Sequence, residues 1–161
     1  MKKTIFIQIL CACILVAGFT SCKKDSSNPS ASFKASFDGS EKVFSKVSNA
    51  QRNVLGNYSL IITGITNNNE TINLMLVSDQ DFTAGASYSV ATSPNNDLVY
   101  VGTDTNGWSA SFAPTQAATK FDCTITEISS TEVKGTFSGD LYSSIDGSKM
   151  TVSNGAFSAK F

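Results

Sequence analysis

From Phe33 to Phe161 no stretch of ten residues spaces its apolar side chains as a helix would. The apolar positions fall instead in short runs rich in Val, Ile, Thr and Phe, cut by Gly, Asn and Asp. A chain patterned in this way builds strands and turns. The segment Ala117 to Phe121 is too short for a helix and contains the β-branched Thr119. The expected class is therefore all-β, an antiparallel meander of about ten strands forming a sandwich or partly closed barrel. A lipocalin-like closed barrel is the alternative.

Registers follow from requiring apolar side chains to share a face across each turn. A two-residue loop at Asn106-Gly107 would pair Thr105 with Trp108 and Val101 with Phe112, turning Val99, Val101, Trp108, Ala110 and Phe112 inward. A loop at Asn68-Asn69 would pair Ile65 with Ile72 and Ile61 with Leu76. Both faces of that hairpin are apolar, which places it centrally and covered on both sides. Asp146-Gly147 would pair Leu141 with Val152. That register leaves Phe157 and Phe161 on the wrong face unless a bulge at Asn154-Gly155 adds a residue, with glycine in the left-handed region. Phe137 then faces Phe157, Gly135 faces Ala159, and Gly139 is an ordinary strand position. Three strands, Lys120–Glu127, Thr131–Ser143 and Lys149–Phe161, form the closing meander, turning first between Glu127 and Thr131. Asp38-Gly39 suggests a hairpin of Ser32–Phe37 with Glu41–Lys46, in an undetermined register, and Ser87–Ala91 a further strand. The segments 47–57, 78–86, 92–97 and 114–119 read as loops.

The first residues specify location. Met1-Lys2-Lys3 is basic, and Thr4 to Phe19 is an apolar run of 16 residues interrupted by Gln8. Ser21-Cys22 follows. A basic start, an apolar centre and a small residue before the cut describe a secretory signal. The run is shorter than the ~20 residues that span a bilayer. The cysteine after the small residue gives the pattern of a bacterial lipoprotein, cut before Cys22 and acylated there, although Phe19 stands where such signals more often carry Leu. Residues 1–21 are then the signal and 22–30 a lipidated Cys22 with a polar tether. Residues 31–161 are the all-β domain. Of four cysteines, Cys11 and Cys13 leave with the signal and Cys22 carries lipid. Cys123 is left without an intrachain partner, on the inward parity of its strand.

The order of the pieces resembles a family of Bacteroidota lipoproteins classed as a domain of unknown function. The resemblance is carried by Thr20-Ser21-Cys22-Lys23-Lys24-Asp25, Phe33 with Phe37-Asp38-Gly39, Leu60 with Ile62-Thr63-Gly64, and Val133-Lys134-Gly135-Thr136-Phe137 with Asn154-Gly155-Ala156-Phe157. It covers most of the chain after the signal. It implies an envelope lipoprotein with a β fold and assigns no activity. Lys23 is not the aspartate that retains many lipoproteins in the inner membrane. An outer-membrane site, periplasmic or surface-facing, is the expectation, with the membrane as partner through the lipid.

Composition narrows the chemistry. Histidine is absent, so His triads, His bases and His metal ligands are excluded. The part from Ala31 carries 8 basic and 12 acidic side chains, a balance of −4, and offers phosphates no basic footprint; nucleic acid is not an expected partner. Asp79, Asp81, Asp97, Asp104 and Asn106 are oxygen donors in loops but lack calcium-loop spacing. Asp122, Glu127, Glu132 and Asp140 could supply a carboxylate pair, yet Asp122 and Asp140 take the outward parity, where a carboxyl pKa is hard to raise. No metal or cofactor is expected. Tyr100 and Tyr142, also on outward parity, and Trp108, on inward parity, are the candidate ligand-binding aromatics. The expected function is a non-catalytic, lipid-anchored binding module for a glycan, a peptide or a partner protein. The alternative is a carrier of a small apolar ligand, for which an enclosed cavity would argue and a filled core would not. A His-free hydrolase is the third reading.

Overall fold

A computed structural model describes residues 31–55 and 57–161. The predicted signal, Cys22 and the tether lie outside these residues. Twelve strands form one antiparallel sheet that curls into a nearly closed barrel. In chain order they are β1 (Ser32–Phe37), β2 (Ser40–Phe44), β3 (Lys46–Val47), β4 (Gln51–Leu55), β5 (Asn57–Ile65), β6 (Thr71–Ser78), β7 (Ser87–Ser89), β8 (Asp97–Val101), β9 (Gly107–Ser109), β10 (Phe121–Ile128), β11 (Glu132–Ser143) and β12 (Lys149–Lys160). Single 3₁₀ turns occupy Ala110–Phe112 and Gln116–Ala118. The expected loop over 47–57 in fact contains β3 and β4, both paired with β5.

The long strand β11 organises the wall. One edge pairs with β12 along nearly its whole length. The other edge is shared: residues 133–139 pair with β10, and Tyr142 and Ser143 with β9. From β9 the wall continues through β8 and β6 to β5, and from β12 through β1 to β2. The chain itself joins β2 to β3, which pairs with β5, and this closes one side of the barrel.

The interior is filled. Phe33, Phe44, Phe121, Leu60, Ile62, Ile72, Leu74, Leu76, Leu98 and Leu141 are each less than 2 % exposed, and each such burial stabilises by about 1.5–3 kcal/mol. Phe33 from β1 packs 5.1 Å from Phe137 and 6.1 Å from Phe157, ring centre to ring centre.

The closing meander has the predicted strands and inward faces, but its registers are shifted. Leu141 pairs with Met150 rather than Val152, because residues 144–147 make a longer loop with Gly147 at φ +70°. The predicted turn between Glu127 and Thr131 is drawn in, since Ile128 still pairs with Val133. The bulge in β12 is present. Phe137 pairs with Gly155 while Gly139 pairs with Val152, so β12 contains an extra residue. The left-handed backbone is at Asn154, φ +51°, and not at Gly155; asparagine tolerates that region. Phe137 does not face Phe157, and no two of Phe121, Phe137 and Phe157 pair across the meander. Each faces a glycine instead, Phe121 opposite Gly139, Phe137 opposite Gly155 and Phe157 opposite Gly135. Nor is Gly139 ordinary, because a Cβ there would stand 2.7 Å from the carbonyl of Lys120.

Two other hairpins differ for one reason. Asn69 and Thr105 take left-handed backbone, φ +64° each, making three-residue loops over 67–69 and 103–105 in place of two-residue ones. Ile65 therefore pairs with Thr71, one residue from expectation. Leu60 and Ile62 then share the inner face with Ile72, Leu74 and Leu76, all 0 % exposed. The outer face of this hairpin is not covered: Ile61 and Ile65 are half-exposed and Met75 is exposed. In the second case Val101 pairs with Gly107, five residues from expectation, and Ala110 and Phe112 leave the sheet for a 3₁₀ turn. The strand β8 is thereby turned over, with Leu98 and Tyr100 inward and Val99 and Val101 half-exposed. Asp38-Gly39 is a two-residue turn with both φ positive, +47° and +87°, as a type I′ hairpin requires.

Candidate functional site: an open seam and a polar mouth

The barrel wall has an opening between β6 and β7. The pairing of β6 with β8 stops at Met75 and Asp97. β7 pairs on one side with β10 and has no strand on the other among the described residues. The gap is a cleft of about 620 Å³, lined by Val77, Ser78 and Asp79 from β6 and its exit, by Ser87 and Tyr88 from β7, and by the loop around Pro94. Its lip carries Asp79, which is exposed, and Asp81, which receives Arg52 of β4. The floor is firmer. Phe82 packs 5.2 Å from the Tyr88 ring, and the Tyr88 hydroxyl accepts from the Thr83 N–H at 3.4 Å.

One side chain crosses the gap. Asn96 is 1 % exposed. Its Oδ1 accepts from the Val77 N–H at 2.6 Å, and its Nδ2 donates to the Ser89 carbonyl at 2.7 Å. The next residue, Asp97, is also buried; its carboxylate accepts from Ser109 Oγ at 2.8 Å, from the Leu98 N–H at 2.8 Å and from the Ser111 N–H at 3.2 Å. It thus ties β8 to the 3₁₀ turn after β9. Neither residue was singled out in this role from sequence. An Asn-Asn-Asp run after Ser-Pro reads as a turn, and only the end of the β6–β8 pairing reveals that these side chains point inward.

At one mouth of the barrel, Lys42, Glu70 and Tyr100 form a polar cluster. Lys42 Nζ and the Tyr100 hydroxyl both donate to Glu70 Oε1 at 2.7 Å. Lys42 Nζ lies 5.4 Å from the Tyr100 ring centre, and the Phe37 ring packs against that ring at a tilt, centre to centre 4.8 Å. Burial alone would raise the Glu70 carboxyl, but the hydrogen bonds from Lys42 and Tyr100 outweigh it and leave its pKa lowered. Burial, with the bond to Glu70, raises Tyr100. A carboxyl whose folded value lies below its unfolded one stabilises above the ordinary carboxylate range, and the gain is lost as pH falls through the folded value. Glu70→Gln should therefore melt below the wild type at pH 7, by a difference that closes when melts are repeated through the acid range. Parallel curves at all pH values would show that this charge contributes nothing.

The sequence-predicted aromatics are dispersed. Tyr100 is inward and 4 % exposed, because its ring can close the mouth while its hydroxyl finds Glu70. Tyr142 keeps its outward parity but is covered by the second 3₁₀ turn, and its hydroxyl donates to the Ala118 carbonyl at 3.4 Å. Trp108 lies opposite Tyr100, half-buried against the core. These three make no exposed platform. Asp140, expected outward and solvated, is buried and accepts from Thr151 Oγ1 at 3.0 Å. Glu127 and Glu132 flank Lys134 at 2.8 and 3.4 Å, and Asp122 is exposed. Asp104 Oδ1 accepts from the Asn106 N–H at 3.1 Å, an ordinary turn contact. Among the described residues no three His, Cys, Asp or Glu side chains stand close enough to share a metal ion. Cys123 is 1 % exposed, and burial pushes its thiol up to about 12, so it is a core residue with no thiolate to offer.

Neither the comparison with curated proteins nor that with solved structures found a match. A family model does match, over residues 29–159, and its span takes in every strand except the last residue of β12. The chain belongs to the family described as Domain of unknown function (DUF6252).

Proposed function

We propose that the protein is a non-catalytic binding module of the bacterial cell envelope, held to the membrane by lipid on Cys22 and offering the seam cleft to its ligand. The carrying observation is that the barrel interior is packed with side chains while the wall opens into a polar cleft. A filled interior favours surface recognition over an apolar ligand carried inside. Hydroxyls, amides and two carboxylates line the opening, groups that hydrogen-bond sugars and peptides alike. The absence of histidine from the sequence and the pairing of Glu127 and Glu132 with Lys134 support a role without catalysis.

The test is binding of the domain from Ala31 onward to glycan and peptide arrays. Retention of a member of either array that weakens on Ser87→Trp, which fills the cleft, supports the reading; retention of nothing on both arrays sinks it. Anchoring is tested separately. Cys22→Ser should abolish labelled fatty-acid uptake and release the protein from the membrane fraction. A mutant that still takes up label and still sediments with the outer membrane would disprove the lipoprotein assignment.

A further inference from the structure

The peptide groups at the two edges of the seam show what fits between them. Along a strand the N–H and C=O of successive residues point alternately to its two sides. The Val77 N–H points into the seam, toward Asn96, so the Val77 C=O does too. On either side of β7, the Ala86 carbonyl accepts from the Ile125 N–H at 3.1 Å and the Val90 N–H donates to the Phe121 carbonyl at 3.4 Å, Ile125 and Phe121 both being on β10. The alternate residues, Ser87 and Ser89, therefore turn their peptide groups away from β10 and into the seam.

Asn96 supplies the gauge. Its carboxamide accepts from a strand on one side and donates to a strand on the other. A peptide group of an intervening strand would make the same two bonds. The gap at this rung is thus one strand wide, and a side-chain amide takes the place of backbone. At the neighbouring rung nothing does. The Val77 carbonyl and the N–H and C=O of Ser87 border the cleft with no hydrogen-bond partner among the described residues.

We propose that the seam binds an extended polypeptide segment of a partner protein, which inserts between β6 and β7 and continues the wall from the point where Asn96 begins it. This rests on the reading of the cleft as the binding site and names its ligand. Backbone bonds to Ser87 and Val77 supply affinity, as in strand addition to an open sheet edge. Side chains of the segment alternate between the Tyr88 side of the cleft and solvent. Asp79, exposed at the lip and joined there by Asp81, selects a segment with a lysine or arginine at that point, in keeping with the net charge of −4 on the domain. A sugar could use the same hydroxyls, but it gains nothing from two facing strand edges spaced for one strand.

The experiment pans random heptapeptides on phage against the full-length protein in detergent micelles. Enrichment of peptides containing lysine or arginine is expected. The best peptide is then synthesised with single backbone N-methyl groups. Methylation of an amide seated between Val77 and Ser87 should weaken binding about tenfold or more, because successive amides face the two strands in turn, and methylation at the peptide's ends, beyond the seam, much less. Ser87→Pro removes the donor on the protein side while β7 keeps its bonds through Ala86 and Val90; it should cost a similar factor without lowering the melting midpoint appreciably. N-methylated peptides that all bind as tightly as the unmethylated parent, or undiminished binding by Ser87→Pro, would overturn strand insertion. Two further outcomes separate this proposal from the reading it rests on. A glycan that occupies the cleft while no peptide is enriched overturns the strand and keeps the site. Failure of both ligand classes removes the site as well.

Discussion

Gly155→Val should lower the melting midpoint of the domain by about 10 °C or more. A Cβ at this position would stand 2.5 Å from the Phe137 carbonyl oxygen and 2.6 Å from two atoms of the Phe137 ring. The ring cannot simply turn aside, because it packs 5.1 Å from Phe33 and 6.5 Å from Phe157 in the centre of the core. The carbonyl oxygen belongs to the β11 backbone and moves only with the strand. Overpacking of this kind costs roughly 1–3 kcal/mol and more where backbone must shift. Valine, with two further carbons, falls at the upper end, against a usual total of about 5–15 kcal/mol. The neighbouring residue separates this cause from backbone strain: Asn154, not Gly155, is left-handed, so Asn154→Gly should be close to neutral. Gly107→Ala, where the nearest atom is 3.7 Å away, is the control and should melt within a few degrees of wild type. Thermal unfolding followed by circular dichroism reads all three. A Gly155→Val protein that melts with the control would show that Phe137 does not need the space.

Asn96→Ala should be the next most damaging change and should act locally. It leaves the half-buried Val77 N–H without its acceptor, which costs about 1 kcal/mol, the low end of the range for an unmade bond. The Ser89 carbonyl suffers less, since it still accepts from Thr92 Oγ1 at 2.8 Å and from the N–H groups of Thr92 and Ser93 at 3.1 Å. Asn96→Asp is not a rescue. It keeps an acceptor for Val77 but turns a second carboxylate oxygen toward the Ser89 carbonyl. Hydrogen exchange at the Val77 amide should accelerate by at least tenfold in Asn96→Ala, while amides of β11 and β12 change only with global stability. Unchanged exchange at Val77 would mean that Asn96 does not bridge the seam.

The sequence was readable wherever one face of a strand was clearly apolar. Phe121, Cys123 and Ile125, then Val133, Gly135 and Phe137, alternate cleanly with polar residues, and the structure buries all six. The bulge was readable for the same reason, because without it Phe157 would face solvent. Registers were less accessible, since they depend on which residue turns left-handed. Asn-Gly was the natural choice near Gly107, yet Thr105 takes that conformation, a position sequence preference disfavours for a β-branched residue. In β5 and β6 both faces are apolar, and alternation could not choose between Leu60 with Ile62 and Ile61 with Ile65. The seam was beyond reach altogether. It arises because β8 is shorter than β6, and Asn96 bridges it only by standing where a strand is missing.

The pairing of Phe33 with Phe157 joins the first strand of the domain to the last. Closing a loop of that length costs more entropy than any hairpin here, by about (3/2)RT ln n, and the return comes only once β12 has docked. The hairpins can form early, but closure must come late, so folding should be slow for a domain of this size. Until then β1 and β12 both expose unpaired edges, the state most open to proteolysis and to pairing with another chain. A nascent chain gains nothing from pausing before Lys149. Truncation of the last dozen residues should produce a molecule that never folds, rather than a smaller barrel.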